Sequence, residues 1–341
     1  MLHFLSSVFS GRRSEDSGPD KALIDRAIER VVDGTDPRLR GLGNYRKRLR
    51  AAVETAVVYV IELVDAMPEP AEISRQAYGT DPRLRAFFVS PAHLQEVIGN
   101  SRPVTDFLRA VNGPLPDMIF GMLSMEWKEK QVLGIELVGD ILRRDVPQVA
   151  VSFYNHRFVG PGASLEETSR QLKLRVFDYL VGEALKRVVT ARGKRSELEQ
   201  QQRLLKHKMS AMKAGDWGLE GMLSEHQAEP VNHAALESEI ADIEAQLLEL
   251  GTAATNLEAV FEAVDAILGS PAEWISSHEI TLDLDASLIK ADASSSRTTR
   301  ELKLSEIYSC EGARRIVLPG WFPRQDLPER ENFLQKAERY L

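Results

Sequence analysis

MIFGMLSMEWKEKQVLGIELVGDILRRDVPQVAVSFYNHRF, residues Met118–Phe158, is the stretch on which the fold class turns. Its apolar residues leave the helical period that governs the chain before it. Val149, Val151 and Phe153 alternate with Ala150, Ser152 and Tyr154, the two-residue repeat of a half-buried strand. The spacing predicts three strands, Met118–Trp127, Gln131–Leu142 and Gln148–Phe158, separated by WKEK and RRDVP. Glycines interrupt the first two, and a helical reading of Ile119–Lys130 stays open. GPGAS at Gly160–Ser164 ends the section, and Ser164 with Glu167 forms a capping box for the next helix.

Upstream the pattern is helical. Leu23, Ile24, Ala27, Ile28, Val31 and Val32 share one face of a helix that starts after Asp20 and closes at Gly34. A longer helix runs from about Asn44 to Met67 and stops before Pro68 and Pro70. Ser90 caps a short helix with Pro91 at its first position, and Arg102–Val111 forms another.

Downstream comes the longest periodic signal. Leu174, Phe177, Val181, Ala184 and Val188 begin a 3-4 spacing that continues through Arg195, Leu198, Gln202 and Leu205 to Met212. A second series runs from Leu236 through Ile240, Ile243, Leu247 and Leu250 to Leu268. Such spacing keeps one seam facing a partner helix, the requirement for a coiled coil. At about 1.5 Å per residue each arm is roughly 50 Å long. Charge selects the pairing. Ser164–Ala214 carries twelve Lys or Arg and six Asp or Glu, a net of +6, whereas Gly215–Ile289 carries sixteen carboxylates and no Lys or Arg. A basic helix folded back on an acidic one is the expected result, with Met212 beside Leu236, Leu205 near Ile243 and Leu198 near Leu250.

Beyond Pro271, Ile280, Leu282 and Leu284 alternate with Thr281, Asp283 and Asp285, a strand again. Leu302, Leu304 and Ile307 mark another, Arg315–Leu318 a third, and Asp326–Leu341 reads as a closing helix. The expected fold is α+β, mostly α. It comprises a flexible N-terminus (1–19), a helical region (20–113) and an α+β body with a mixed or antiparallel sheet (114–163 with 270–341). A long antiparallel coiled-coil hairpin (164–269), with its tip at about 213–233, projects from that body.

Composition bounds the function. The 341 residues carry a formal net charge of −8, which argues against generalised nucleic-acid binding. One cysteine, Cys310, excludes an intramolecular disulfide framework and indicates a reducing, cytoplasmic setting. No apolar run is long enough to span a bilayer. MLHFLSSVF at the start reads as a loosely ordered end, with a weak amphipathic membrane or partner contact as the other reading.

GTDPRLR occurs twice, at Gly34–Arg40 and Gly79–Arg85, with unrelated flanks. Gly ends one helix, Thr or Asp caps the next, and Pro fits its first turn. The arginines then sit where a helix dipole disfavours cations. Arg38, Arg40, Arg83 and Arg85 are therefore a candidate anion site, against the plainer reading of surface ion pairs. Six basic residues and no acid lie between Pro37 and Val53 (Arg38, Arg40, Arg46, Lys47, Arg48, Arg50), a second possible phosphate contact.

Motifs for chemistry are sparse. No phosphate loop, dinucleotide fingerprint, nucleophile elbow or zinc-ligand pair occurs, so no cofactor or metal is expected. His156 is a weak candidate general base, and Asp283 and Asp285, with Glu279, are weak candidate carboxylates on one strand face. Cys310 has no recognisable helper and reads as a buried or inert thiol. Trp217, Leu219, Met222 and Leu223 cluster at the hairpin tip and are the expected partner-binding residues, against a plain role in capping the coiled coil. The function expected is a cytoplasmic protein–protein interaction or scaffold protein. A nucleic-acid or phosphate-binding regulator and an enzyme with its site on the sheet are the alternatives.

Overall fold

The computed structural model describes residues 20–138, 141–215, 233–249, 257–291 and 298–328. Their helices and six-stranded sheet make the chain α+β. Two compact units partition it: 20–57 with 177–271, and 58–176 with 272–328. The first helices join the long helical stretch rather than forming a region with residues 58–113.

The first unit is helical. Its elements are α1 (Lys21–Gly34), most of α2 (Tyr45–Asp65), most of α6 (Leu165–Gly215), α7 (His233–Glu249) and α8 (Leu257–Gly269). Every apolar residue expected on the inner face of α1 is buried. Val53, Val57, Leu180, Val181, Val264 and Ile267 on the other helices are buried with them. Ion pairs tie the helices across this core: Arg50–Asp25 joins α2 to α1, Arg30–Asp178 joins α1 to α6, and Arg48–Glu258 joins α2 to α8. Farther along α6, among the residues whose burial is described, exposure falls at Leu198, Gln202, Leu205 and Met209, as well as at Glu199, and on α7 at Leu236, Ile240, Ile243 and Leu247.

The second unit is built on the sheet. Strands β1 (Ala71–Glu72), β2 (Met118–Val138), β3 (Ile141–Gly162), β4 (Ile275–Leu284), β5 (Arg300–Ser309) and β6 (Arg314–Pro323) take the order β3-β2-β6-β5-β4, with β1 parallel to β6. Met118–Phe158 does not form three strands. It belongs to two long ones, paired from Phe120–Gly162 to Val138–Ile141. WKEK lies inside β2, with Trp127 opposite Phe153 and Lys130 opposite Ala150. It resembles a turn because the ladder to β6 ends at Met125–Ile316, after which Lys128, Glu129 and Lys130 are exposed and charge is tolerated. RRDVP is absorbed by an irregularity between Gly134 and Glu136 of β2, with Asp145 on β3 at φ 58°.

The sheet also closes on itself. Lys290 N–H donates to Val149 and Val151 N–H to Leu288, while Ala291 N–H donates to Asp283 and Asp285 N–H to Ile289. The segment after β4 thereby bridges β4 to β3 and covers edges that would otherwise be open. The inner face packs on α3 (Pro82–Phe87), α4 (Pro91–Gly99) and α5 (Arg102–Ala110) through Leu84, Phe88, Leu94, Ile98, Phe158 and Leu318. A smaller cluster of Val64, Met122, Leu172 and Val317 packs the end of α2 and the start of α6 on the other face.

The capping serine before α4 accepts from His93 N–H at 3.1 Å with Pro91 at the first helical position, as the sequence predicts. Ser164 accepts from Glu167 N–H, and the Glu167 carboxylate reaches back to Ala163 N–H. The expected closing helix falls almost wholly outside the described residues; Arg324–Asp326 is a 3-10 turn.

Candidate functional site

The two heptapeptides build the same local structure. Asp36 accepts from the backbone N–H of Arg38 and from its guanidinium; Asp81 does the same for Arg83. The aspartate caps the turn, proline fits the first position, and the following arginine folds back onto the capping carboxylate. The cation at the helix start is thus answered by its own cap. Burial raises the Asp81 pKa, but the bonds from Arg83 outweigh it and hold the carboxyl below its usual range. Leu39 and Leu84 are fully buried. Arg40 binds Glu29 and Asp33, while Arg85 is exposed. Arg38 and Arg40 belong to one unit and Arg83 and Arg85 to the other.

The second copy also borders a cleft. A depression of about 500 Å³ is lined by Thr80, Asp81, Pro82, Arg83, Glu301, Leu302 and Lys303. A second cavity, of about 160 Å³, has walls that include Pro68, Phe87, Glu279, Leu304, Val317 and Leu318. Arg83 and Lys303 border both. The opening arises because β5 and β6 pair only from Ser305–Val317 to Tyr308–Arg314 and then part. β6 continues beside β1 at Gly320 and Trp321. No motif in the sequence marks this cleft, because strand divergence is a property of the assembled sheet.

The basic run from Arg38 to Arg50 is largely neutralised within its own unit. Arg38 pairs with Asp36, Arg40 and Arg46 with Glu29, Arg48 with Glu258 and Arg50 with Asp25. Arg48 also lies 4.0 Å from the Phe261 ring centroid. Burial raises the Glu29 pKa, but hydrogen bonds from Tyr45, Arg40 and Arg46 reverse that and lower it.

His156 lies in an aromatic cluster. It stacks on Phe88 at 4.9 Å between centroids and meets His93 edge-on at 5.6 Å. Its Nε2 is buried without a hydrogen-bond partner among the described residues. Burial, and then the neighbouring His93, depress its pKa, and among the described residues no carboxylate orients it as a base. Asp285 accepts from Ser287 and Ile289 N–H and shapes the turn that closes the sheet, while Asp283 and Glu279 are exposed. Among the described residues no group of three or more metal-ligating side chains converges. Cys310 is exposed.

Trp217, Leu219, Met222 and Leu223 lie outside the described residues, as does MLHFLSSVF. Among the described residues no helix is long and apolar enough to cross a membrane. No protein-family model, curated protein or solved structure matches the chain.

Proposed function

We propose that the protein is an interaction or scaffold protein whose helices α6 and α7 form an antiparallel coiled-coil hairpin that offers its closed end to a macromolecular partner. The observation that carries this reading is the contact between the two helices. Lys206 Nζ lies 2.8 Å from Glu244 Oε1, and Gln202 Nε2 donates to the same oxygen at 2.9 Å. Residues 202 and 206 flank Leu205, and residue 244 follows Ile243, so the contact supports the register expected from charge and spacing. The burial at 3-4 spacing along both helices supports the same seam.

In this reading Trp217, Leu219, Met222 and Leu223 supply the apolar contact, because tryptophan and methionine are favoured at interfaces. Exposed Cys310 suits a cytoplasmic setting. The phosphate-binding alternative is less well supported, since Arg38, Arg40, Arg46, Arg48, Arg50 and Arg83 are held by carboxylates.

The test is affinity purification from the native host with wild type and with all four tip residues changed to Ser. A protein recovered with wild type and lost with the variant supports the reading. The same material with both, or none with either, overturns it.

A further inference from the structure

We infer that the protein self-associates through the outer part of β2, Lys128–Val138, which pairs antiparallel with the same segment of a second copy about a two-fold axis at Leu133. This reading is independent of the helical hairpin.

The first reason is where the ladders stop. β2 runs to Val138, but β6 follows it only as far as the Met125–Ile316 pair. Arg314 then lies over the Trp127 ring, and from Lys128 outward no strand flanks β2 on that side among the described residues. β3 accompanies β2 on its other side to the end, pairing Val138 with Ile141. At about 3.4 Å per residue the uncovered edge is roughly 35 Å long. Such an edge is a template for another strand.

The second reason is that the two edges of this ribbon differ. The outer edge of β3 is blunted: Leu288 and Lys290 bond to Val151 and Val149, and Pro147 has no N–H to offer. Arg143 and Arg144 there are exposed. Each of the three register shifts sets two residues of β3 opposite one of β2, as Arg144 and Asp145 opposite Ile135. β2 therefore stays regular, and its segment Gln131–Val138 contains no proline, lysine or arginine. On it Leu133 is 70% exposed and Ile135 54%.

Symmetry and charge select the occupant. Leu133 is the midpoint of Lys128–Val138, so antiparallel pairing of two copies along the whole edge sets Leu133 against Leu133 and Gln131 against Ile135. Residue 130, a lysine, then falls opposite residue 136, a glutamate, on both sides of the axis, and no like charges oppose. An axis at Lys130 would instead set Lys130 against Lys130, so charge disfavours a pairing centred nearer the body. The two-fold contact is closed and stops at two copies.

The experiment is sedimentation equilibrium of the full 38.1 kDa chain, with wild type and Leu133→Lys compared. The expected result is a wild-type dimer between about 1 μM and about 100 μM, weakened at least about tenfold in Leu133→Lys, which sets two ammonium groups at the axis. Circular dichroism at the lowest concentration checks that the variant is folded. Cross-linking reads the register in a Cys310→Ser background. Leu133→Cys should give a disulfide-linked dimer under mild oxidation and Ile135→Cys much less, because only the residue at the axis faces itself. A wild type that stays monomeric up to about 100 μM overturns the proposal and leaves the edge to a strand of another protein. So does assembly beyond two copies, a dimer unaffected by Leu133→Lys, or equal cross-linking of the two cysteine variants.

Discussion

His156 stacks on Phe88 at 4.9 Å with its Nε2 buried and no hydrogen-bond partner among the described residues. Burial first, then His93 and Arg315, depress its pKa, and a bond to the Phe87 backbone only partly offsets them. The unfolded chain therefore takes up the proton more readily than the folded one. Stability from this group is complete above about pH 6.5 and falls as the pH drops towards the depressed folded value. Urea unfolding between pH 8 and pH 5 should show wild type losing stability on the acid side. His156→Phe should lose less over the same interval; an unchanged slope would exclude His156 as a source of the acid sensitivity.

The twin Asp–Pro–Arg turns make a paired prediction. Asp36→Ala and Asp81→Ala each remove a cap and should cost about 1 kcal/mol. Leu39→Ala and Leu84→Ala remove fully buried side chains and should cost about 2–5 kcal/mol. Arg85→Ala, at an exposed position, should stay within about 0.5 kcal/mol. Denaturant midpoints for the five variants test this ranking, and a large loss at Arg85 would reveal a structural role for that side chain.

Hairpin register can be read by cross-linking. Leu205→Cys with Ile243→Cys should form one disulfide within the chain under mild oxidation, seen as a mobility shift on non-reducing gels. Leu205→Cys with Leu236→Cys should not, since those positions are two helical turns out of register. Charge offers a second check: Lys206→Glu lowers stability slightly, and adding Glu244→Lys restores it, because the Lys206 ammonium holds the Glu244 pKa down.

Gly320 stands where β1 meets β6. A Cβ there would lie 2.5 Å from the Ala71 carbonyl oxygen and 2.4 Å from Ile73. Backbone cannot yield as a flexible side chain does, so Gly320→Ala should destabilise by about 1–3 kcal/mol. Gly41→Ala, with nothing within 4 Å of the new atom, is the control and should change the melting temperature little.

Much of the local structure is legible in the sequence. The buried face of α1, the serine cap of α4 and the alternation in β4 each depend on residues a few positions apart. The long β2–β3 pair is not. WKEK and RRDVP look like punctuation because charge and proline are common in turns, yet here they lie in strand where the ladder to β6 has ended. The repeated heptapeptide is half legible: its cap and proline follow from local rules, but the arginine's return to its own aspartate needs three-dimensional geometry. The tip residues of the proposed hairpin lie outside the described residues.

By itself the sequence determined the helical character and buried face of α1, the serine cap of α4, the alternation of β4, and which segments carry opposite charge. Those properties come from periodicity and from contacts within a turn or two of chain. Tertiary structure alone decided that residues 20–57 join 177–271, that Leu288–Lys290 closes the sheet onto β3, and that β5 and β6 part to open a cleft. Each of these depends on which distant backbone groups and carboxylates meet. That choice is made by competition among many long-range pairings, and no local spacing encodes it.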